Sequence, residues 1–193
     1  MSGTTAPTPA QALVTAMSIL AEALRTAAID PADQVRLLSA LVTYAPPSVN
    51  AAAPIGQTIA AVTIETANMA AWVAAVSLAL ACAAYQPTSY DDAVQLMASV
   101  SAILETLIET AADGFHDNTY AALRALRTAV IQDLTTRGAN LPTLMTVTTP
   151  QPVAALPLAY RLYADSSRAD DVIARAEPIN PLFLPTSMRL LSS

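Results

Sequence analysis

His116 is the only histidine in this 193-residue chain, and it stands in the run Asp113-Gly114-Phe115-His116-Asp117. A basic ring beside carboxylates is the simplest acid–base arrangement, and hydrolysis is the chemistry it would serve. Such a site also needs a nucleophile on a sharp turn or a second catalytic motif, and the sequence has neither. A surface-loop histidine between two helices is the expected reading. Cys82, the one cysteine, lies between Ala81 and Ala83 in the most apolar stretch, the setting of a core thiol. A single cysteine also excludes an internal disulfide. Asp91-Asp92 and Asp170-Asp171 fall in expected first turns of helices, where negative charge complements the positive helix end. Gly3, Gly56, Gly114 and Gly138 are too widely separated to cradle a phosphate. One His and one Cys in unrelated contexts do not form a transition-metal cluster. No catalytic, cofactor or metal residue is therefore expected.

The remaining polar candidates are arginines with neighbouring tyrosines. Arg124 and Arg127 share one side of a helix, while Arg161, Arg168 and Arg175, beside Tyr160 and Tyr163, could form a second cluster. The chain has no Lys. Residues 1–123 hold two Arg and ten acids, residues 124–193 seven Arg and five acids, and the net charge is −6. Wrapping nucleic acid requires clustered positive charge. Here Asp133, Asp165, Asp170 and Asp171 intersperse the arginines. Arg124, Arg127, Tyr160, Arg161, Tyr163, Arg168 and Arg175 are accordingly read as a protein–protein interface.

The elements that must position them are mostly helices. Hydrophobic residues make up 54 %, charged residues 12 %, and four Gly among many Ala favour helix over sheet. Residues 1–9 read as a flexible start without the basic, apolar pattern of a signal peptide. Leu13, Met17, Leu20 and Leu24 then mark a helix. Asp30-Pro31-Ala32-Asp33 opens a second, with Asp30 as cap and Val35, Leu38 and Leu41 or Val42 inward, ending by Pro46-Pro47. A third runs from about Gln57 to Tyr85 with Ile59, Val62, Met69, Trp72 or Val73, Val76 and Leu80 inward. It includes 25 charge-free residues from Thr66 to Tyr90. That length could cross a bilayer, but nine of the 25 are Ala and neither flank offers Lys or Arg. A buried helix or a subunit interface is expected instead of a stable membrane span.

Ser89-Tyr90-Asp91-Asp92 resembles a capping box and opens a fourth helix with Val94, Met97, Val100, Leu104, Leu107 and Ala111 inward. A fifth carries Tyr120, Leu123, Leu126, Val130 and Leu134, with Gly138 as a left-handed cap. The fold expected for residues 10–140 is an antiparallel helical bundle. After Leu141-Pro142 the pattern changes to a strand near 143–149, a helix from Pro152 to Tyr163, a helix opened by Ser167-Arg168-Ala169-Asp170, and a strand near 187–191. Leu158, Tyr160, Leu162, Tyr163, Val172 and Ile173 are expected to supply most of this module's packing.

Several words of this region carry a family resemblance. They are Tyr120, Leu123-Arg124-Ala125-Leu126-Arg127, Asp133-Leu134-Thr135, Arg137-Gly138-Ala139, Leu158-Ala159-Tyr160-Arg161-Leu162-Tyr163, Arg168-Ala169-Asp170-Asp171 and Ala174-Arg175. In this order, Tyr120–Leu191 resembles the C-terminal part of the DNA circularisation proteins of Mu-like phages, components of contractile tails and baseplates. The Pro-x-Phe of that family is kept in Pro181-Leu182-Phe183, whereas its double Gly is absent, as is its β-rich N-terminal domain. With the strand–helix–helix–strand order, the resemblance implies a small α+β module like the lysin-motif (LysM) domain over residues 141–193. It further implies a structural virion protein, not an enzyme, made in the host cytoplasm. Its partners would be tube, hub or spike proteins, with further copies in a three- or sixfold ring. Two alternatives stay open: a module that binds cell-wall glycan, and a protein that accompanies DNA ends.

Overall fold

The computed structural model describes residues 8–192. Among these residues the chain is mainly helical, with seven α-helices and one two-stranded antiparallel sheet near the C-terminus. The expected flexible segment falls largely on residues 1–7, outside the described residues. Thr8 already caps the first helix, α1 (Pro9–Ala27), in a reciprocal box with Gln11. Then follow α2 (Pro31–Val42), α3 (Pro54–Ala84), α4 (Tyr90–Asp113) and α5 (Asp117–Gly138). Strand β1 (Leu144–Thr148), α6 (Ala155–Tyr163), α7 (Ala169–Ala176) and β2 (Ser187–Leu191) complete the order.

Two compact units divide these elements. One takes the chain up to Gln86 with Gln95–Thr135; the other takes Pro87–Val94 with the chain from Thr136 onward. In the first unit, α1 to α5 share one core of Ala21, Leu38, Leu78, Leu104, Leu134 and their neighbours. The Asp30 carboxylate accepts the Ala32 N–H at 2.9 Å and Pro31 takes the first helical position of α2. Both choices are local chemistry, since a cap satisfies an orphan donor and proline has none to lose. The buried Gln34 amide donates to Ala28 O at 2.9 Å and so closes the turn between α1 and α2.

Three expectations about α1, α3 and α4 are corrected. On α1, Leu13 and Leu20 are exposed, and the inward side runs through Met17, Ala21 and Leu24. On α3, Ile59, Val62, Val76 and Leu80 are exposed, while Ala71, Ala74, Ala75, Leu78, Ala81 and Cys82 are buried. Small side chains let neighbouring helices approach closely, and the Ala face takes the core position that aliphatic periodicity assigned elsewhere. On α4, Val100, Leu104, Leu107 and Ala111 are buried as expected, but Val94 is exposed.

The second unit is built on the antiparallel pairing of β1 with β2, Leu144 opposite Leu191 and Thr148 opposite Ser187. Its core is Ala155, Leu158, Ala159, Val172, Leu184, Met188 and Leu190, with Leu162, Tyr163 and Ile173 packed partly against it. Tyr160, expected inside, is 64 % exposed, because it lies on the outer side of α6 away from Leu158 and Ala159. The expected Ser167 cap is also replaced. Asp165 accepts from both Ser167 N–H at 2.8 Å and Ser167 Oγ–H at 2.7 Å, forming a short 3-10 turn, Ser166–Arg168, before α7. Gly138 is not left-handed. It ends α5 in helical conformation, and its lack of a side chain is needed because a Cβ there would come within 2.9 Å of Ala93 Cβ.

Candidate functional site

The interface residues expected from sequence fall into two groups, one in each unit. In the first, α5 aligns Tyr120, Arg124 and Arg127 at helical spacing along one side. Arg127 Nε lies 3.0 Å from Glu105 Oε2 and donates to Ser101 Oγ at 3.0 Å. Arg124 is more loosely held. Its guanidinium lies 5.6 Å from the Tyr120 ring centroid and donates to Tyr120 Oη at 3.3 Å. With Glu105, Ile108 and Thr128 these side chains line a shallow polar groove. It offers cationic and aromatic contacts.

In the second unit, Asp171 stands between two arginines, with Arg175 Nε 3.0 Å away and Arg168 3.6 Å away. The Asp171 Oδ2 atom is buried without a hydrogen bond, and Arg168 at that distance compensates it only by charge. Arg168 also lies 3.8 Å from the centroid of the Tyr163 ring, a cation–π contact. The Tyr163 hydroxyl donates to Leu191 O at 2.9 Å, tying α6 to β2. Burial raises the Tyr163 phenol above its ordinary range, with Arg168 and Arg175 opposing the shift and Asp171 reinforcing it. Arg175 additionally reaches Thr88 O at 3.4 Å. Arg168, Arg175 and Tyr163 are thus engaged within the fold, while Tyr160 and Arg161 project outward.

The acidic pairs divide their work. Asp92 Oδ2 accepts the Thr88 N–H at 2.9 Å, and Ser89 Oγ accepts the Asp92 N–H at 3.1 Å, which closes the start of α4. Asp91 instead accepts the Leu144 N–H at 2.7 Å and faces Arg189 at 3.5 Å, fixing the end of β1. That long-range duty has no signal in the sequence.

His116 sits in the turn between α4 and α5. Its Nε2 lies 3.7 Å from Glu65, and its ring meets Trp72 edge-on at 5.0 Å. The backbone forms a helix-ending turn in which His116 N–H donates to Ala111 O and Phe115 N–H to Ala112 O. Phe115, at φ 57°, holds the left-handed position and is 89 % exposed. Among the described residues, no group of three His, Cys, Asp or Glu is arranged to hold a metal ion. No protein-family model and no curated protein matches the chain.

What sequence reasoning missed is apolar. Leu156, Ile179, Leu182 and Phe183 of the second unit are exposed, as are Ile55 and the aliphatic side of α3 in the first. By length and composition alone, α3 and α4 are apolar enough to cross a membrane. Between α3 and α5 run two open apolar grooves, lined by Trp72, Val76, Leu80, Leu126 and Val130 among others.

Proposed function

We propose that this protein is a structural component of a contractile phage tail, joining baseplate, tube, hub or spike proteins. The reading rests on the ordered words between Tyr120 and Ala174-Arg175 that resemble the Mu-like DNA circularisation proteins. Two features support it. The order β1–α6–α7–β2, with the strands paired antiparallel, is the order a LysM-like module would have. The candidate polar residues form ion pairs, cation–π contacts and helix caps, which suit docking better than catalysis. On this reading, Arg124, Tyr160 and Arg161 supply the outward contacts. Arg127, Arg168 and Arg175 hold the surfaces in shape, and other copies complete a three- or sixfold ring.

A glycan-binding reading of the second unit draws on one observation, the exposure of Tyr160 and Phe183, whose rings could stack on sugars. Retention on purified peptidoglycan would favour it over tail assembly. Duplex DNA is the weaker expectation, since Glu105 partners Arg127 and Asp171 partners both Arg168 and Arg175.

Deleting the reading frame from the phage or prophage that encodes it tests the main proposal. The expected result is heads with absent or incomplete tails, restored when the gene is supplied in trans. Complete, infectious particles without it would overturn the proposal.

A further inference from the structure

Most of the exposed aliphatic side chains of α3 fall on one side, Ile64 on the opposite side being the exception. Ile55, Ile59, Val62, Thr66, Met69, Val73, Val76 and Leu80 follow one another at alternating intervals of four and three residues. That is the spacing of a coiled-coil seam, sustained for nearly four heptads. Ile59, Thr66, Val73 and Leu80 take the a positions; Ile55, Val62, Met69 and Val76 take the d positions. An α-helix drifts only about 20° per heptad against this repeat, so all eight stay on one side of α3. The buried Ala71, Ala74, Ala75, Leu78, Ala81 and Cys82 occupy the opposite side. Val62 and Val76 are 60 % and 53 % exposed, and Thr66, Met69 and Val73 are half-buried. α3 therefore has two apolar sides: from Ala71 onward its own unit buries one, and it half-covers the middle of the other while leaving Ile55, Ile59, Val62, Val76 and Leu80 exposed.

We propose that the outward side of α3 is a self-association seam that packs against α3 of other copies of this chain. A 3.5-residue repeat selects an α-helix as occupant, because only a helix with the same repeat places knobs into its holes along the full length. α3 itself supplies such a partner. Charge argues against lipid. Between Arg36 and Arg124 there is no Arg or Lys, while seven acids fall in that interval, so the cations that anchor a helix at headgroups are missing. The only charged group within the length of the stripe is Glu65, and it faces His116. Size sets the expected strength. The stripe is about 38 Å long and about 10 Å wide, roughly 400 Å² per copy, and the α3–α5 groove beside Val76 and Leu80 adds to it. A pair of such faces buries about 800 Å², below the roughly 1,200 Å² of stable specific interfaces, so association should be weak, reversible and concentration-dependent. The β-branched Ile55, Val62 and Val76 at d positions favour three or more strands over a parallel pair.

The proposal deepens the assembly reading above, but it stands on helix geometry and is tested on purified protein alone. Sedimentation velocity and equilibrium of the full chain, from low to high micromolar concentration, should show a reversible shift to a multiple of the chain mass. Val62→Glu places a charge on the seam and should weaken association roughly a hundredfold or more, with helical circular dichroism unchanged. Thr66→Ile completes the apolar repeat, does not threaten the fold, and should tighten association about tenfold. A single-chain mass throughout the range would overturn the seam. So would association insensitive to both substitutions, or co-flotation of the wild-type chain with phosphatidylcholine–phosphatidylglycerol vesicles that Val62→Glu abolishes. A chain that stays monomeric yet is found in tails would refute the seam and leave the tail assignment intact.

Discussion

At the scale of single residues, the backbone conformations taken in the turns are the clearest departures from ordinary chemistry. Among the described residues, Phe115, Ala164 and Glu177 are left-handed, and no glycine is. An L-residue in that region is disfavoured by about 1–2 kcal/mol, while a glycine there gives back about 0.4–1 kcal/mol through the freedom of its unfolded chain. With its ring almost wholly in solvent, Phe115 has little packing to lose. Phe115→Gly should raise stability by about 0.5–1 kcal/mol in urea denaturation. A lower midpoint would show that the ring contributes contacts worth more than the strain. Tyr163 carries the second residue-scale prediction. Its phenol is raised by burial, so the folded state favours the protonated form. That contribution is complete below the ordinary phenol value of 10.0 and is lost as pH rises through the higher folded value. Thermal melts should therefore show a fall in stability above about pH 10 that is smaller in Tyr163→Phe. An equal fall in both proteins would assign it to other groups.

At the scale of elements, the second unit depends on residues that interlock its two helices with the sheet. Leu184 is fully buried and its N–H donates to Val153 O at 2.9 Å, which draws the segment before β2 onto the start of α6. Leu184→Ala should cost about 2–5 kcal/mol, whereas Tyr160→Ala, on the exposed side of α6, should change stability by about 0.5 kcal/mol or less. Comparable losses from both would mean that Tyr160 packs in solution. Legibility in the sequence follows the range of the interaction. Asp30-Pro31 and Ser89 were readable because a cap acts within four residues. β1 was readable from its β-branched run, whereas β2, which has no β-branched residue, was readable only from the prolines before it and the order of elements. Ser167 misled because Asp165, two residues earlier, is the stronger acceptor and reshapes the turn. Gly138 misled because close packing on Ala93, not positive φ, requires it. On α3 the aliphatic repeat was legible, but its direction was not, since periodicity identifies an apolar side without saying what covers it. The Asp91–Leu144 hydrogen bond joins residues 53 apart, and no local pattern marks it.

At the scale of the whole molecule, the candidate site is a pair of surfaces, and a pair of surfaces suits assembly. The engaged arginines Arg127, Arg168 and Arg175 leave Arg124 and Arg161 as the looser cations of the candidate group, beside the outward Tyr160. The resemblance over Tyr120–Leu191 gives those surfaces their proposed place in a contractile tail. Quantitative mass spectrometry of purified particles, separated into tail and head fractions, tests that place most directly. The account predicts this protein in a constant ratio to tube and baseplate proteins, enriched with tails and depleted from heads. Its absence from intact particles and from tails alike would contradict the account.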